Sequence, residues 1–129
     1  MIRTVLAVLL LWSGGGLVAC SQADSGIGAV ESQVLAARIA SGDAPLILDV
    51  RTRAEFAEGH LPGAINIPHD ELAGRIGELG AERNAEVVVY CGSGRRAGLA
   101  ESVLVETGFS NIHDLSGHWR GWSGAVSIP

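Results

Sequence analysis

Residues 86–96 read EVVVYCGSGRR and combine an apolar run, one cysteine, two glycines and two arginines. The unbroken run Val87–Tyr90 is typical of a strand that is buried on both faces, as in a parallel sheet. The glycines that follow allow a tight turn, and beyond them we predict a helix that ends at Gly108. Ligands of such sheets bind beyond the carboxyl ends of the strands. The sequence therefore places Cys91 where an α/β protein carries its chemistry.

The rest of the chain alternates between strands and helices on either side of this stretch. Apolar runs and turn residues predict strands at 46–50, 64–67, 86–90 and 111–115, helices at 31–40, 54–58 and 70–79, and a last turn or helix at 119–122. Strands that are apolar on both faces and separated by helices indicate a parallel sheet covered on both sides. We therefore predict an α/β fold in a single domain over residues 31–129.

Residues 1–19 are predicted to be a signal peptide. Arg3 precedes eight unbroken apolar residues, 5–12, which suit the core of a secretion signal. They are too few for a helix that spans a bilayer, which needs about 20 residues. Residues Leu17–Cys20 then resemble a bacterial lipobox, in which the cysteine is lipidated and becomes the new N-terminus. Because Ser21 follows, we expect a lipid-anchored periplasmic protein on the outer rather than the inner membrane, with secretion in soluble form as the alternative.

Residues 20–30 are predicted to form a flexible tether between the anchor and the domain. The chain has two cysteines, Cys20 and Cys91, and a lipid on Cys20 leaves Cys91 without a disulfide partner. An unpaired thiol in an oxidising compartment is either buried and inert or present for its chemistry. The residues that follow Cys91 favour chemistry.

The loop after Cys91 has the composition of an anion-binding site. Its glycines let successive amide groups point inward, and the positive end of the following helix dipole strengthens their field. Guanidinium groups suit an oxyanion, and a thiol in such a field ionises more readily. We therefore expect an exposed, ionised sulfur on Cys91 beside an oxyanion pocket. The residues expected to form that pocket are Gly92, Ser93, Gly94, Arg95 and Arg96.

This loop and several further motifs resemble the rhodanese family. Cys91, Gly94 and Arg96 match the family's Cys-x-x-Gly-x-Arg loop. The resemblance covers residues 31–126. One departure lies in Ser116–Trp119, which reads SGHW where family members often have two glycines before the tryptophan. The other matching residues are Asp49–Arg51, Glu55–Phe56, Gly59–Pro68, Val88–Tyr90, Gly108–Phe109, Leu115, Gly117 and Trp122.

The resemblance implies a rhodanese-like fold, with a central, mainly parallel sheet of about five strands and helices on both faces. It also implies sulfur transfer by covalent catalysis. The Cys91 thiolate would take a sulfane sulfur from thiosulfate or a similar donor, hold it as a persulfide, and pass it to cyanide or a thiol. Arg96 would close the loop and orient the oxyanion, and Arg95 would steer it from the rim. Asp49 and Arg51 are expected to form an ion pair that supports the loop.

Two other function classes stay open at this point. A cysteine-dependent phosphatase or arsenate reductase also places cysteine and arginine around an anion. Four residues separate Cys91 from Arg96, as in sulfurtransferases, whereas the related phosphatases have one residue more. The second alternative is a non-enzymatic module that binds sulfide or a protein partner, although inactive family members typically lack the cysteine.

Composition and motifs argue against several further classes. The chain has 14 acidic and 9 basic residues and a net charge of −5, so no nucleic acid is expected. Its four histidines lack ligand spacing, so no metal is expected, and none is placed by the sequence as a base for Cys91. The loop glycines lack the third glycine and the acidic partner of a dinucleotide site, so no cofactor is expected. The expected partners are a small sulfur donor and acceptor, together with the membrane, and the protein is expected to be a monomer.

Overall fold

The apolar run before Cys91 forms the central strand of a parallel sheet in the computed structural model, which describes residues 26–129. Five strands pair in the order β1-β5-β4-β2-β3, and every pairing is parallel. The carboxyl ends of the strands therefore share one edge of the sheet, where Cys91 follows β4. The predicted α/β fold is confirmed. The strands are β1 (Ile27–Val30), β2 (Leu46–Asp49), β3 (Ile65–Asn66), β4 (Val87–Tyr90) and β5 (Ile112–Leu115).

In the described part of the chain, three α-helices connect these strands: α1 (Ser32–Ala40), α2 (Arg53–Glu58) and α3 (Arg95–Glu106). A capping box starts α2, because the Thr52 side chain accepts the amide hydrogen of Glu55 while the Glu55 carboxylate accepts the amide hydrogen of Thr52. The longest helix, α3, has 12 residues and begins directly after the loop glycines. None of the helices within residues 26–129 is long and apolar enough to cross a bilayer.

The helix predicted over residues 70–79 is wrong. This segment forms two short 3-10 turns, Leu72–Gly74 and Ile76–Leu79. Three glycines lie in it or at its end, and each glycine disfavours an α-helix by about 1 kcal/mol relative to alanine. The apolar side chains at positions 72, 76 and 79 are nevertheless buried, so the segment still covers the sheet.

The core has two layers, one on each face of the sheet, and β4 contributes to both. Val87, Val89 and Cys91 point to the layer under α3 and the 3-10 turns. Val88 and Tyr90 point to the opposite layer under α1. Because the strand is buried on both faces, its sequence is apolar at every position rather than alternating. This alternation of direction also sets the side from which the Cys91 side chain meets α3.

The flexible tether predicted over residues 20–30 is wrong for its last part. Residues 27–30 form the edge strand β1, which pairs with β5 along its whole length. Gly28 leaves room for the His113 side chain opposite it, because a Cβ at this position would collide with the His113 ring as it lies. The pairing covers the backbone groups of β5 that would otherwise form an open sheet edge. Residues 20–25, the lipidation residue Cys20 and the predicted signal peptide lie outside the described residues.

Candidate active site

Cys91 is the first residue after the central strand, and it is only 1% exposed. Its side chain packs in the same core layer as Val89 and Ala97. The expectation of an exposed sulfur is therefore wrong, because the loop and the first turn of α3 fold over the side chain. A substrate must approach the sulfur through the loop that covers it.

Amide groups of that loop converge on the sulfur. The Gly94 amide donates a hydrogen bond to Cys91 Sγ at 3.0 Å, and the amides of Ser93 and Ala97 also donate to it. No side chain caps the N-terminus of α3, so the sulfur accepts hydrogen bonds that a capping residue would otherwise accept. Burial raises the pKa of the thiol, but these bonds together with one from His118 outweigh it and lower the pKa to about 6. A pKa in this range favours the thiolate form of Cys91 at neutral pH.

Gly94 is required at the junction of the loop and α3 for two reasons. Its φ angle of 123° is unfavourable for any residue with a Cβ. A Cβ at this position would also lie 3.1 Å from Nε2 of His118. The loop conformation that aims the amides at the sulfur thus depends on this residue.

The two loop arginines have different surroundings. The guanidinium of Arg96 donates two hydrogen bonds to the Glu55 carboxylate, at 2.6 and 3.0 Å, and so joins the start of α3 to α2. These bonds lower the pKa of Glu55 to about 2. Arg95 is exposed at the rim of the loop, as is Ser93, whereas Gly92 lies beneath the Arg96 side chain. Arg96 therefore holds the loop closed through Glu55.

Asp49 and Arg51 form a buried ion pair at the end of β2, with 2.7 Å between Asp49 Oδ2 and Arg51 Nη2. The Tyr90 hydroxyl also donates to Asp49 at 2.7 Å, and Arg51 donates to the carbonyl oxygen of Gly59 at 2.8 Å. The Arg51 guanidinium lies over the Trp119 ring, 4.4 Å from its centroid. Arg51 is 2% exposed and its guanidinium is already bound by these neighbours, so it supports the segments around it.

The ion pair of Asp49 and Arg51 supports Cys91 through the segment that follows β5. The amide of Trp119 donates to the carbonyl oxygen of Cys91 at 2.9 Å, and the amide of Arg120 donates to that of Gly92 at 3.2 Å. Arg51 packs on the ring of Trp119 and so fixes the residue that holds the Cys91 backbone. The ion pair therefore acts on the loop indirectly.

His118 contacts Cys91, although its position in the sequence does not mark it as a base for this residue. The ring accepts the amide hydrogen of Cys91 on Nδ1 at 3.3 Å, and its proximity lowers the pKa of the thiol. On its other side, Nε2 lies 3.3 Å from Oδ1 of Asp114. The strand order is the feature that indicates this contact, because β4 and β5 are neighbours and the residues that follow them meet at one edge of the sheet. In the described part of the chain, no three His, Cys, Asp or Glu side chains are grouped so as to hold a metal ion.

The sequence profile of the rhodanese-like domain matches residues 31–125. The chain belongs to the rhodanese-like domain family. A protein of Allochromatium vinosum named sulfurtransferase is 33% identical over 94 residues, which cover 73% of this chain and 86% of that protein. The thiosulfate sulfurtransferase PspE of Escherichia coli is 37% identical over 70 residues, which cover 54% of this chain and 67% of that protein.

Solved structures of rhodanese-like proteins share this fold. The crystal structure of the Alr3790 protein from Anabaena sp. has a TM-score of 0.71 and 28% identity, over 78% of this chain and 82% of that chain. A rhodanese with anions from E. coli has a TM-score of 0.59 and 31% identity, over 67% of this chain and all of that chain. The rhodanese-like fold that the sequence motifs imply is therefore confirmed.

We predict that Asp49→Asn destabilises this rhodanese-like domain. The substitution leaves the buried guanidinium of Arg51 without its counter-charge, and breaking such a pair costs about 3–5 kcal/mol. The free energy of unfolding, measured by urea denaturation, is expected to fall by about this amount.

The matched control for this substitution is Glu71→Gln, which removes a carboxylate from the exposed ion pair with Arg53. Exposed pairs contribute little, so no measurable change in the free energy of unfolding is expected. Equal losses in the two variants would contradict a special role for the buried pair.

Proposed function

We propose that this protein is a rhodanese-type sulfurtransferase that moves a sulfane sulfur from thiosulfate to cyanide or a thiol through a persulfide on Cys91. The observation that carries the proposal is the set of amides around the sulfur, in particular the Gly94 amide at 3.0 Å from Sγ. A thiol whose pKa lies at about 6 is ionised at neutral pH and can act as a nucleophile.

In the loading step, the Cys91 thiolate attacks the outer sulfur of thiosulfate. A bond forms between Sγ and that sulfur, the bond from the sulfur to the SO3 group breaks, and sulfite leaves with the electron pair. The persulfide that remains carries its negative charge on the outer sulfur. The amides that are directed at Sγ also lie beside the outer sulfur, and they stabilise its negative charge without reorganising.

In the discharge step, an anionic acceptor attacks the outer sulfur. The bond between that sulfur and Sγ breaks, and Cys91 leaves as the thiolate with which the cycle began. A thiolate acceptor yields a new persulfide, and cyanide yields thiocyanate. The low pKa of Cys91 favours this step too, because a stabilised thiolate is a better leaving group.

The experiment that tests the reaction is intact-mass spectrometry of the protein after incubation with thiosulfate. We expect a gain of one sulfur atom, and we expect cyanide to remove it with formation of thiocyanate. The Cys91→Ser variant keeps the size of the side chain and should gain no mass. No added sulfur on the wild-type protein would contradict the proposal, and so would loading of the serine variant.

We further predict that Arg96 acts as a positioning residue that holds the loop through Glu55. Arg96→Ala should lower kcat/KM for thiosulfate by about 10²-fold, because a small misplacement of reacting groups can cost that much. Glu55→Gln should lower it in the same direction, since it removes the charge that holds Arg96. Arg95→Ala is the matched control, and it should change kcat/KM much less.

These variants distinguish closure of the loop from direct binding of the substrate. If Arg96 instead bound the thiosulfate anion directly, Glu55→Gln would free the guanidinium and leave kcat/KM unchanged or higher. That result would contradict the positioning role of Arg96.

We propose that the mature protein is a monomer that begins at a lipidated Cys20 and is attached to the periplasmic face of the outer membrane. The residues before β1 would then link the anchor to the domain. In cells fed a labelled fatty acid, we expect Cys20→Ser to abolish both the label and the membrane fractionation. Cys91→Ser is the matched control and should keep both. Labelling of the Cys20→Ser variant would contradict the anchor.

A further inference from the structure

The ring of His118 lies between the sulfur of Cys91 and the carboxylate of Asp114. It is 7% exposed, and its two nitrogens face different partners, Cys91 on the Nδ1 side and Asp114 on the Nε2 side. These residues come from different elements, since Cys91 follows β4, Asp114 lies on β5 and His118 follows β5. A buried imidazole that connects a thiol with a carboxylate has the arrangement that activates cysteine nucleophiles in other enzymes.

The backbone of this histidine is held in a conformation that is uncommon for a side chain of its size. His118 has a φ angle of 51°, and it is the one non-glycine residue with positive φ in the described part of the chain. Residues in this region persist where their surroundings determine them, and they concentrate at functional sites. The space for the ring depends on Gly94, which has no Cβ to collide with Nε2. The positive φ of His118 and the absence of a Cβ at Gly94 together allow the imidazole to lie beside Cys91.

The charges around the ring favour its protonated form. Oδ1 of Asp114 is buried, and within residues 26–129 the nitrogen Nε2 of His118 lies 3.3 Å from it. From α3, Glu101 faces the same carboxylate, and burial followed by the contact with Asp114 raises the pKa of Glu101 above its usual range. When Glu101 is protonated, it adds no negative charge of its own beside the ring.

Asp114 and Glu101 also line an open cavity of about 640 Å³ beside β1 and α3. Among the described residues, two further titratable groups act on Cys91: Glu101 on α3, and the guanidinium of Arg96, which is itself paired with Glu55.

We propose that His118 is the proton acceptor and counter-ion of Cys91, with Asp114 as the positioning residue, so that the resting site is a thiolate–imidazolium pair. The proton moves from Sγ to Nδ1, the sulfur keeps the electron pair, and Nε2 keeps its proton toward Asp114. In the neutral ring, Nδ1 accepts the amide hydrogen of Cys91, and in the protonated ring Nδ1–H donates to the sulfur.

The use of this pair in sulfur transfer rests on the function proposed above. The proton stays on His118 while thiosulfate loads the sulfur, so it is not consumed in the reaction. The imidazolium then faces an anionic persulfide, and it offsets the repulsion that an anionic acceptor meets on approach. Asp114 and Cys91 raise the pKa of His118 to about 9, so the pair persists between about pH 6 and about pH 9.

The test is the rate at which iodoacetamide alkylates Cys91 as a function of pH. For the wild-type protein, the rate should reach half of its maximum near pH 6. In His118→Asn and His118→Gly, both compatible with positive φ, this midpoint should rise by about one unit or more, and the rate near neutral pH should fall by about twofold or more. The matched control is His113→Asn, which changes a histidine on β5 that bonds Asn111, and its midpoint should not move.

A second measurement keeps His118 in place and so does not depend on the folding of its variants. Coupling between two titrating groups is reciprocal, so Cys91→Ser should lower the pKa of His118, measured by NMR of the ring. An unchanged alkylation midpoint in folded His118 variants, or an unchanged His118 pKa in Cys91→Ser, would overturn the proposal.

Neither measurement requires thiosulfate, so the outcomes separate the two proposals. A shifted midpoint without persulfide formation would support the ion pair and contradict sulfur transfer. Persulfide formation with an unshifted midpoint would support sulfur transfer and contradict the ion pair.

Discussion

The first turn of α3 needs hydrogen-bond acceptors for its amide groups, and in this protein the sulfur of Cys91 is one of them. A helix N-terminus carries free N–H groups and a partial positive charge, which side chains such as Ser, Thr, Asp or Asn usually satisfy. Here the N-cap residue is Gly94, which has no side chain, and its own amide points at the sulfur. The same amides that α3 must satisfy therefore stabilise the thiolate, so the stability of the helix start and the reactivity of the cysteine have one origin.

The remainder of the fold keeps this sulfur in place from both sides of β4. On the β2 side, the buried pair of Asp49 and Arg51 supports the ring of Trp119, whose amide holds the Cys91 carbonyl oxygen. On the β5 side, His118 lies against the cysteine itself. Above the loop, Arg96 is joined to Glu55 on α2. The segments beside β4 thus support the cysteine through Trp119 and His118, and one ion pair joins α2 and α3 over the loop. The strand order explains how residues distant in sequence meet at the sulfur.

The sequence predicted the features that depend on a local pattern of residues. The predictions were wrong where contacts with distant segments determine the structure. The buried run at β4 and the motif from Cys91 to Arg96 indicated a parallel sheet with a reactive loop, because both signals lie within a dozen consecutive residues. The segment 70–79 has the spacing of a helix, but its glycines and its packing selected 3-10 turns. Residues 27–30 look like a linker, and they form a strand because β5 offers them an open edge.

The difference between local and distant contacts also explains which features of the active site the sequence did not predict. Exposure of the sulfur could not be inferred from the loop residues, because it depends on how α3 folds over Cys91. The pairing of Arg96 with Glu55 joins positions 41 residues apart, and the contact of His118 with Cys91 joins positions 27 residues apart. The departure of Ser116–Trp119 from the family pattern was visible in the sequence, but the contact of His118 with Cys91 could be inferred only with the knowledge that β4 and β5 are adjacent. A departure from a motif therefore becomes informative once the topology shows which functional atom the new side chain meets.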